Sequence, residues 1–378
     1  MELFELRLNK IFKALKDHNI DTEKILLKDT QTLRYVFAEL YNPPPEELSI
    51  HSLIIDTNTM ELNVYVSALD YYRVIETYEQ VKNLVVHPVA PSVLDIELNT
   101  KITDISDIKT LLKRICKESK KVSVDTFEIC DTNSTICIDI RNVIRKVKRN
   151  KSEEEVYIIG KAIEITEKSI ESVIPELKNG MNERTIAGLI ESKAREFGAD
   201  GFAFNSIVAI GNNTSKPHHI PGSTSFKGNE PIIVDFGVRY RGYVSDITRV
   251  ILPCNLSKEY EQIKKFIEAI IDAMDNSIKS LKIGEKYSYV DEVARNSLMK
   301  QNMHRYFLHN LGHGIGVDVH EEPKISKVTS HEVEIGDVIT IEPGIYIDRK
   351  FGIRIEDDIY ITPGGPLKLT SLKRVIEL

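Results

Sequence analysis

Two strongly apolar, strand-like segments each carry an acidic residue where only apolar side chains are expected. The run Ile232–Val234 leads directly into Asp235, and the run Val338–Ile341 leads directly into Glu342. A buried carboxylate is costly unless it is paired with a cation. This feature restricts the chain to folds in which two strands bring their carboxylates to a protected polar centre.

The first acidic strand begins a predicted β-hairpin. Folding the chain about Tyr240-Arg241 places Asp235 opposite Asp246. Opposed residues of an antiparallel pair share one face, with Cβ atoms roughly 5 Å apart, and two carboxylates so placed repel each other unless a cation lies between them. The alternative is that both are surface residues or are paired with Arg249.

The second acidic strand begins a hairpin with the same arrangement. Folding about Arg349 brings Glu342 opposite Glu356, again within apolar strand sequence. Arg354 is the alternative partner here. For any single carboxylate the surface interpretation is simpler, but the occurrence of the pattern in both hairpins favours a shared cation site.

A pair of helices is predicted before each hairpin, which indicates two related α/β halves facing each other. The first pair begins at Ser152, where Ser152 and Glu155 fit a capping box, and its second helix runs from about Asn182 to Phe197. The later pair begins at Ser257 and ends near Met299. The inward face of the first helix is predicted to carry Val156, Ile159, Ile163 and Thr166.

The length of 378 residues favours two domains, residues 1–145 and residues 150–378. The basic segment Arg145–Lys151 between them is interpreted as a solvated linker or helix face. The first domain is predicted to be α/β, with a stiff loop at Asn42–Pro45. Its predicted elements are a helix over Leu3–Leu15 and strands at Leu53–Ile55, Leu62–Val66, Leu84–Val86 and Cys137–Ile140.

Histidines supply further candidate site residues. Glycines flank His313, so the backbone can approach a ligand closely there, and this histidine lies between the two hairpins in the sequence. A separate segment contains His218 and His219. One of that pair could donate to a substrate, and a loop with two exposed histidines is the equal alternative.

Four carboxylates balance the charge of two divalent cations. An oxygen-rich set with one imidazole suits Mn²⁺, Co²⁺, Fe²⁺ or Zn²⁺ better than a thiolate zinc site does, and two such ions about 3.5–4 Å apart lower the pKa of a shared water towards about 7. The chain has no Cys-x-x-Cys pair. Its cysteines are predicted to be buried free thiols: Cys116, Cys130, Cys137 and Cys254.

Composition argues against several classes of partner. The formal net charge of −7 argues against nucleic acid or an anionic membrane surface. No apolar stretch approaches the ~18 residues of a membrane helix, and the first residues show no export signal. A cytoplasmic localisation is therefore expected.

The chain from about residue 150 to its end resembles the pita-bread metallopeptidases, most closely the proline-specific branch of prolidase and aminopeptidase P. The resemblance implies an α/β (α+β) fold, with a catalytic domain of pseudo-two-fold halves and a smaller creatinase/prolidase-like domain that typically helps dimerisation and restricts the cleft. The matching segments are Pro217-His218, Val234–Gly237, Gly242–Arg249, Gly312–Gly316, His320-Glu321, Ile341–Gly344 and Arg354–Asp357.

The resemblance also implies the roles of individual residues. Glu342 would take the proton of the attacking water, His218 and His320 would orient substrate and stabilise the tetrahedral intermediate, and Arg354 would steady a bridging carboxylate. Two ions are expected, with Mn²⁺ or Co²⁺ favoured over Zn²⁺ or Fe²⁺, and with Asp246 and Glu356 bridging them. The implied metal ligands are Asp235, Asp246, His313, Glu342 and Glu356.

The implied activity is hydrolysis of Xaa-Pro bonds in dipeptides or short peptides through a metal-bridging hydroxide, by a homodimer. Arg354–Asp357 favours this branch over methionine aminopeptidase. Lys324 stands where prolidases usually have arginine, and lysine lacks the bidentate fork that binds a carboxylate, so the choice between dipeptides and longer peptides is open. The alternatives are a same-fold aminopeptidase of other specificity and a non-catalytic binding protein.

Overall fold

The computed structural model describes residues 2–40, 50–95, 97–130 and 135–378. The chain divides into two compact units, Met1–Lys148 and Arg149–Leu378. Within those described residues, no helix is long and apolar enough to cross a bilayer.

The amino-terminal unit combines helices with one mixed sheet. Among its described residues the strand order is β5-β4-β3-β2-β1-β6-β7. The helices are α1 (Glu2–Asp17), α2 (Thr30–Val36), α3 (Tyr71–Tyr78), α4 (Ile108–Glu118) and α5 (Arg141–Arg149). The strands are β1 (Lys24–Leu27), β2 (Ile50–Asp56), β3 (Leu62–Ser67), β4 (Leu84–Ala90), β5 (Thr103–Asp104), β6 (Lys121–Val124) and β7 (Ile136–Asp139). The predicted helix and four strands are confirmed, whereas the predicted loop Asn42–Pro45 lies outside the described residues.

The cysteine prediction is partly wrong. Cys130 and Cys137 are joined by a disulfide, and Cys254 is exposed. Cys116 is a buried thiol, as expected, and packs with apolar residues of α4, β1 and β6. The spacing of the cysteines alone did not indicate which of them the fold brings together.

The carboxy-terminal unit begins with α6 (Glu153–Val173), and its predicted capping box is confirmed. The Ser152 hydroxyl accepts from the Glu155 N–H at 3.3 Å, and the Glu155 carboxylate accepts from the Ser152 N–H at 2.8 Å. Most of the predicted inward face is buried, but Val156 is only half-buried. At that end of the helix the buried side chains are those of Glu155 and Ile158. The confirmed inward residues are Ile159, Ile163 and Thr166.

The later helices are α7 (Glu183–Glu196), α8 (Ile263–Ser280) and α9 (Tyr287–Met299). The side chain of Asn182 caps α7 by accepting from the Thr185 N–H at 2.9 Å. Helix α8 starts at Ile263 rather than at the predicted Ser257, because residues 258–260 form a separate 3-10 turn.

Short strands complete this unit, all of whose residues, 149–378, are described. They form sheets in the orders β21-β13-β10-β9, β12-β11-β8, β15-β14-β16-β19-β20 and β17-β18. Each half thus contains two helices, one larger sheet and one smaller sheet, which agrees with the predicted repetition. Strand β21, from the end of the chain, completes the larger sheet of the first half. The strands are β8 (Gly201–Phe202), β9 (Ile207–Ile210), β10 (Ile232–Phe236), β11 (Val238–Tyr240), β12 (Tyr243–Val244), β13 (Ile247–Leu252), β14 (Gly312–Gly314), β15 (Glu321–Ile325), β16 (Val338–Ile341), β17 (Gly344–Ile347), β18 (Phe351–Arg354), β19 (Asp357–Thr362), β20 (Gly365–Lys368) and β21 (Val375–Glu377).

The second acidic hairpin has the predicted register. Ile341 pairs with Asp357 between β16 and β19, and the β17–β18 ladder continues in the same register beyond a break. Glu342 and Glu356 are the residues of that break, and the shared register sets them opposite each other, as predicted.

The first acidic hairpin has a different register from the predicted one. Asp235 pairs with Thr248 rather than with Asp246. The reason is the turn, which lies at Arg241-Gly242, where both residues have positive φ (47° and 85°), as a tight two-residue hairpin requires. The predicted strand pairing is therefore wrong by two residues. A register shift by an even number of residues leaves each side chain on its predicted face of the sheet.

Part of the basic segment is buried, contrary to the prediction of a solvated linker. Arg149 is 6% exposed and donates to both carboxylate oxygens of Asp337, at 2.6 and 2.7 Å. Lys151 is also buried and pairs with Glu321 at 3.1 Å. Buried cations persist when they are paired, and these pairs join the start of this unit to the loop before β16 and to β15.

Candidate metal centre

The break in the first hairpin positions two carboxylates. Asp235 lies on β10 and Asp246 lies immediately before β13, and both are buried. Gly237 marks the break, because a Cβ at this position would overlap the carbonyl oxygen of Ser245. The chain therefore leaves one sheet and enters another between the two acidic residues.

The break in the second hairpin positions the other two carboxylates. Pro343 has no N–H to continue the ladder after β16, and the N–H of Glu342 instead donates to Leu311 O at 2.8 Å. Glu356, which is 2% exposed, donates its N–H to Thr248 O at 3.2 Å. That last bond joins the second hairpin to the first.

His313 lies on β14 and points towards the acidic residues. Its Nε2 atom is 3.7 Å from Asp246 Oδ2 and 3.6 Å from Glu342 Oε1. The flanking glycines permit this approach, since a Cβ on Gly312 would overlap a backbone oxygen of β16. Ligand atoms of Asp246, His313 and Glu356 all lie within 4.8 Å of one another.

The five predicted ligands thus fall into a tight trio and two neighbours. Glu342 adjoins the trio through His313, and Asp235 is close enough to raise the pKa of both Asp246 and Glu356. Burial, followed by repulsion from Asp235, raises the pKa of Glu356 to about 7. Burial and the negative charge of Glu356 also raise the pKa of Asp246 and of Glu342 well above the ordinary range.

This donor set fits divalent cations. Asp235 Oδ1 is buried and has no hydrogen-bond partner among the described residues, although buried oxygens normally have one. Burial, followed by the neighbouring His320, lowers the pKa of His313 to about 3, so its imidazole is neutral and its unprotonated ring nitrogen can act as a ligand. Carboxylate oxygens with one neutral imidazole are ligands that Mn²⁺, Co²⁺, Fe²⁺ and Zn²⁺ accept.

Arg354 holds several acidic and polar groups in place around the carboxylates. Its guanidinium forms a very short ion pair with Asp235 Oδ2 and donates to Thr248 Oγ1 at 3.1 Å. The Thr248 hydroxyl in turn donates to Glu356 Oε2 at 2.8 Å. Arg354 also donates to the hydroxyl of Tyr346 at 2.6 Å. The direct carboxylate partner of Arg354 is thus Asp235, which is not one of the residues expected to bridge two ions. Arg354 reaches Glu356, one of the expected bridging residues, only through Thr248.

The sequence analysis missed His309 and Tyr346. His309 Nε2 is 3.1 Å from the Tyr346 hydroxyl, and its Nδ1 is 3.8 Å from Glu342 Oε2. Burial, followed by the charge of Arg354, lowers the pKa of His309 to about 4, and burial raises that of Tyr346 to about 12. Their positions beside the matched segments Gly312–Gly316 and Ile341–Gly344 were the available signal.

The structure separates the roles of His218 and His219. His219 Nε2 is 2.8 Å from the fully buried carboxylate of Glu183, which also accepts from the backbone N–H of Ile210 at the end of β9 and from that of Gly222. His218 is exposed and is near enough to lower the pKa of His309 and His320. His218 is therefore the residue of the pair that borders the acidic cluster.

His320 and Lys324 border the same region. The rings of His313 and His320 are 4.4 Å apart and nearly perpendicular. Lys324 is exposed on β15, directly across the ladder from His313, and its charge contributes to lowering the pKa of His320 after burial and His218. Both side chains are thus available to a ligand that approaches the carboxylates.

Comparison with known proteins gives one consistent family. Residues 158–363 match metallopeptidase family M24. An Xaa-Pro dipeptidase of Pyrococcus horikoshii is 37% identical over 235 residues, and an uncharacterized peptidase of Staphylococcus aureus is 37% identical over 236 residues. Each alignment covers 62% of this chain and 66% of the relative, just under two thirds of those proteins.

Solved structures extend the similarity to almost the whole chain. An X-Pro aminopeptidase from Thermotoga maritima superposes with a TM-score of 0.79 at 25% identity, covering 98% of this chain and 99% of that one. The α/β fold class expected from the sequence, with an additional amino-terminal domain, is confirmed by this superposition.

Proposed function

This chain belongs to metallopeptidase family M24, and from that premise we propose that it is a dinuclear-metal exopeptidase which hydrolyses Xaa-Pro bonds of dipeptides or short peptides. The observation that carries the proposal is the convergence of Asp246, His313 and Glu356 near a buried oxygen of Asp235 for which the described part of the chain supplies no hydrogen-bond partner. Such an acidic cluster is stable when cations neutralise it.

The proposed ligands of the two ions are the five residues expected from the sequence. Mn²⁺ or Co²⁺ is the proposed occupant, with Zn²⁺ or Fe²⁺ as the alternatives. When bound, such ions lower the pKa of a water molecule and polarise a carbonyl group. The ligand set is Asp235, Asp246, His313, Glu342 and Glu356.

The surrounding side chains supply proton transfer and orientation. Glu342 is proposed to take the proton of the attacking water, because its side chain is 18% exposed whereas those of Asp235 and Asp246 are 10% and 8% exposed. His218 and His320 lie at the exposed border of the cluster and are proposed to donate to the oxygen that becomes negatively charged in the tetrahedral intermediate.

The preference for proline is proposed from the chemistry of the bond and from the relatives. The amide before proline has no N–H, so an enzyme that cleaves it must recognise the carbonyl oxygen and protonate the ring nitrogen as it leaves. The exposed histidines at the border of the cluster suit both tasks. A dipeptidase and an aminopeptidase among the similar proteins are named for such bonds.

The amino-terminal unit, residues 1–145 in the sequence-based division, is proposed to be a creatinase/prolidase-like domain, and the active form is proposed to be a cytoplasmic homodimer. These proposals rest on similarity to the family. Light scattering on the purified chain would measure the oligomeric state, and a monomeric mass at micromolar concentration would contradict the dimer.

The activity can be tested directly on purified protein. Metal-free protein would be loaded with Mn²⁺, Co²⁺ or Zn²⁺ and incubated with Gly-Pro, Ala-Pro, Ala-Pro-Ala and Met-Ala-Ser, with Asp246→Asn as the matched variant. We expect hydrolysis of the proline peptides that the variant lacks. Cleavage of Met-Ala-Ser alone would replace the proposed specificity with that of a methionine aminopeptidase. Less than about one bound ion per chain would favour a binding protein.

A further inference from the structure

Three of the four cysteines of the chain meet at one place in the amino-terminal unit. Cys116 comes from α4, Cys130 follows a 3-10 turn, and Cys137 lies on β7. Cys116 Sγ is 3.1 Å from Cys130 Sγ and 4.0 Å from Cys137 Sγ. Separations of 14 and 7 residues hide this cluster from any search for closely spaced cysteine pairs.

The backbone around Cys116 and Cys137 is held by contacts that do not involve sulfur. The hydroxyl of Thr135 donates to Cys116 O at 2.7 Å, which joins the start of β7 to the end of α4. Strand β7 pairs in parallel with β6, with Cys137 opposite Val122. The positions of Cys116 and Cys137 therefore follow from contacts that do not involve the disulfide.

A disulfide alone does not account for three sulfur atoms. It uses Cys130 and Cys137, whereas Cys116 has no exposed surface and still presents its sulfur to both. Three thiolates around a tetrahedral ion with metal–sulfur bonds of ~2.3 Å would be ~3.8 Å apart. The observed separations of 3.1 and 4.0 Å from Cys116 lie on either side of that value.

We propose that Cys116, Cys130 and Cys137 form, once the disulfide is reduced, a binding site for one thiophilic cation such as Zn²⁺ or Cd²⁺. Cys130 and Cys137 are half-buried, so an ion can reach the sulfurs from solvent while Cys116 closes the inner side. Three thiolates leave a fourth tetrahedral position for water. The site belongs to the amino-terminal unit and does not depend on the proposed peptidase activity.

The chemistry balances with a phosphine as reductant. The phosphine and one water molecule convert the Cys130–Cys137 disulfide into two thiols and a phosphine oxide. A divalent cation then binds the three thiols as thiolates and releases three protons. Because three protons are released, binding should strengthen as the pH rises, and the resulting complex carries one negative charge.

Cadmium titration of the reduced full-length chain tests the proposal, because sulfur-to-cadmium charge transfer in the ultraviolet reports thiolate ligands and not carboxylates. We expect a band that saturates during the titration, that is lost in Cys116→Ser, and that is retained in Cys254→Ser, which removes the exposed fourth cysteine. No band in the reduced wild-type chain, or an equal band in Cys116→Ser, would overturn the proposal.

Alkylation of the wild-type chain provides a second measurement that does not depend on a variant folding. The reduced chain would be treated with iodoacetamide with and without Zn²⁺, and each cysteine followed by peptide mass spectrometry. Ion at about 100 times its dissociation constant should slow alkylation of Cys130 and Cys137 about 100-fold, because only the metal-free fraction reacts. Cys254 should react equally fast in both samples. Equal rates at Cys130 and Cys137 with and without Zn²⁺ would refute the site.

Discussion

Thr248 provides a sharp test of how Glu356 is held in the cluster. Its hydroxyl donates to Glu356 Oε2 at 2.8 Å and accepts from Arg354 Nε at 3.1 Å, and the residue has no exposed surface. Thr248→Val keeps nearly the same shape but can neither donate nor accept. Thr248→Ser keeps the hydroxyl and loses one methyl group, so it is the matched control.

The expected size of the effect follows from these two bonds. A hydrogen bond to a charged group contributes about 1.5–3 kcal/mol net, and loss of a group that orients a metal ligand typically weakens metal binding about 10–100-fold, or ~1.4–2.8 kcal/mol. We therefore expect the dissociation constant for Mn²⁺ to rise about 10–100-fold in Thr248→Val. Thr248→Ser should lower the free energy of unfolding through its small cavity while leaving Mn²⁺ affinity close to that of the wild type.

Titration calorimetry of metal-free protein with Mn²⁺ would measure this difference, and thermal unfolding would establish that both variants are folded. A folded Thr248→Val that binds Mn²⁺ as tightly as the wild type would refute the reasoning. Equal losses in both variants would show that the hydroxyl is not the specific source of the effect. Absence of binding by the wild type would instead count against the proposed metal centre itself.

Three further predictions concern other parts of the chain. His218→Gln should lower kcat/KM for Ala-Pro about 100-fold or more. His219→Gln changes a residue bonded to Glu183 at 2.8 Å and should lower kcat/KM less than about tenfold. The reverse ranking in steady-state kinetics would contradict the assignment of His218 to the border of the acidic cluster. If Lys324 binds the carboxylate of a dipeptide, Lys324→Met should lower kcat/KM about tenfold more for Gly-Pro than for Ala-Pro-Ala, because a hydrogen bond to a charged group contributes about 1.5–3 kcal/mol. Equal losses of kcat/KM for the two peptides would exclude that role. Burial raises the pKa of Asp125 from 3.8 to about 6. Between about pH 4 and pH 6 the folded state therefore holds a proton that the unfolded chain releases. The free energy of unfolding should fall by up to ~3 kcal/mol as the pH rises through this range. Denaturant titrations should show this fall in the free energy of unfolding in the wild type relative to Asp125→Asn. If the free energy of unfolding depends on pH in the same way in both proteins, Asp125 is not the source of the fall.

The two hairpins show how far sequence reasoning reaches. Alternating strand geometry predicted which faces carry the carboxylates, and the register of Glu342 with Glu356 is confirmed. The register of Asp235 was wrong by two residues, because the tight turn depends on the positive φ of Arg241, a non-glycine residue in a conformation that its sequence does not reveal.

Other features depend on contacts between distant segments, which no local pattern encodes. Arg149 lies in a basic run that resembles a solvated surface, yet its partner Asp337 is 188 residues away. The disulfide and the third sulfur of Cys116 likewise depend on how α4 and β7 pack. His309 has no glycine neighbours to mark it, and only the fold brings it to Tyr346.

The way in which both hairpins break connects the fold to the charge of the site. A continuous antiparallel ladder would hold its carboxylates along one sheet face. Each hairpin here instead passes from one sheet to another at its acidic residues. Asp246 and Glu356 therefore lie outside the ladders and converge with His313. Four carboxylates then share a buried region in which Arg354 supplies one positive charge to them directly. One guanidinium neutralises a quarter of that charge, and the remainder is relieved either by protonation, as the pKa of about 7 for Glu356 indicates, or by cations. Two divalent ions would bring four positive charges against the three negative charges that remain, and could also bind the oxygen of Asp235 that no described residue satisfies. The acidic cluster that makes this fold electrostatically costly is therefore the same feature that suits it to the proposed hydrolysis.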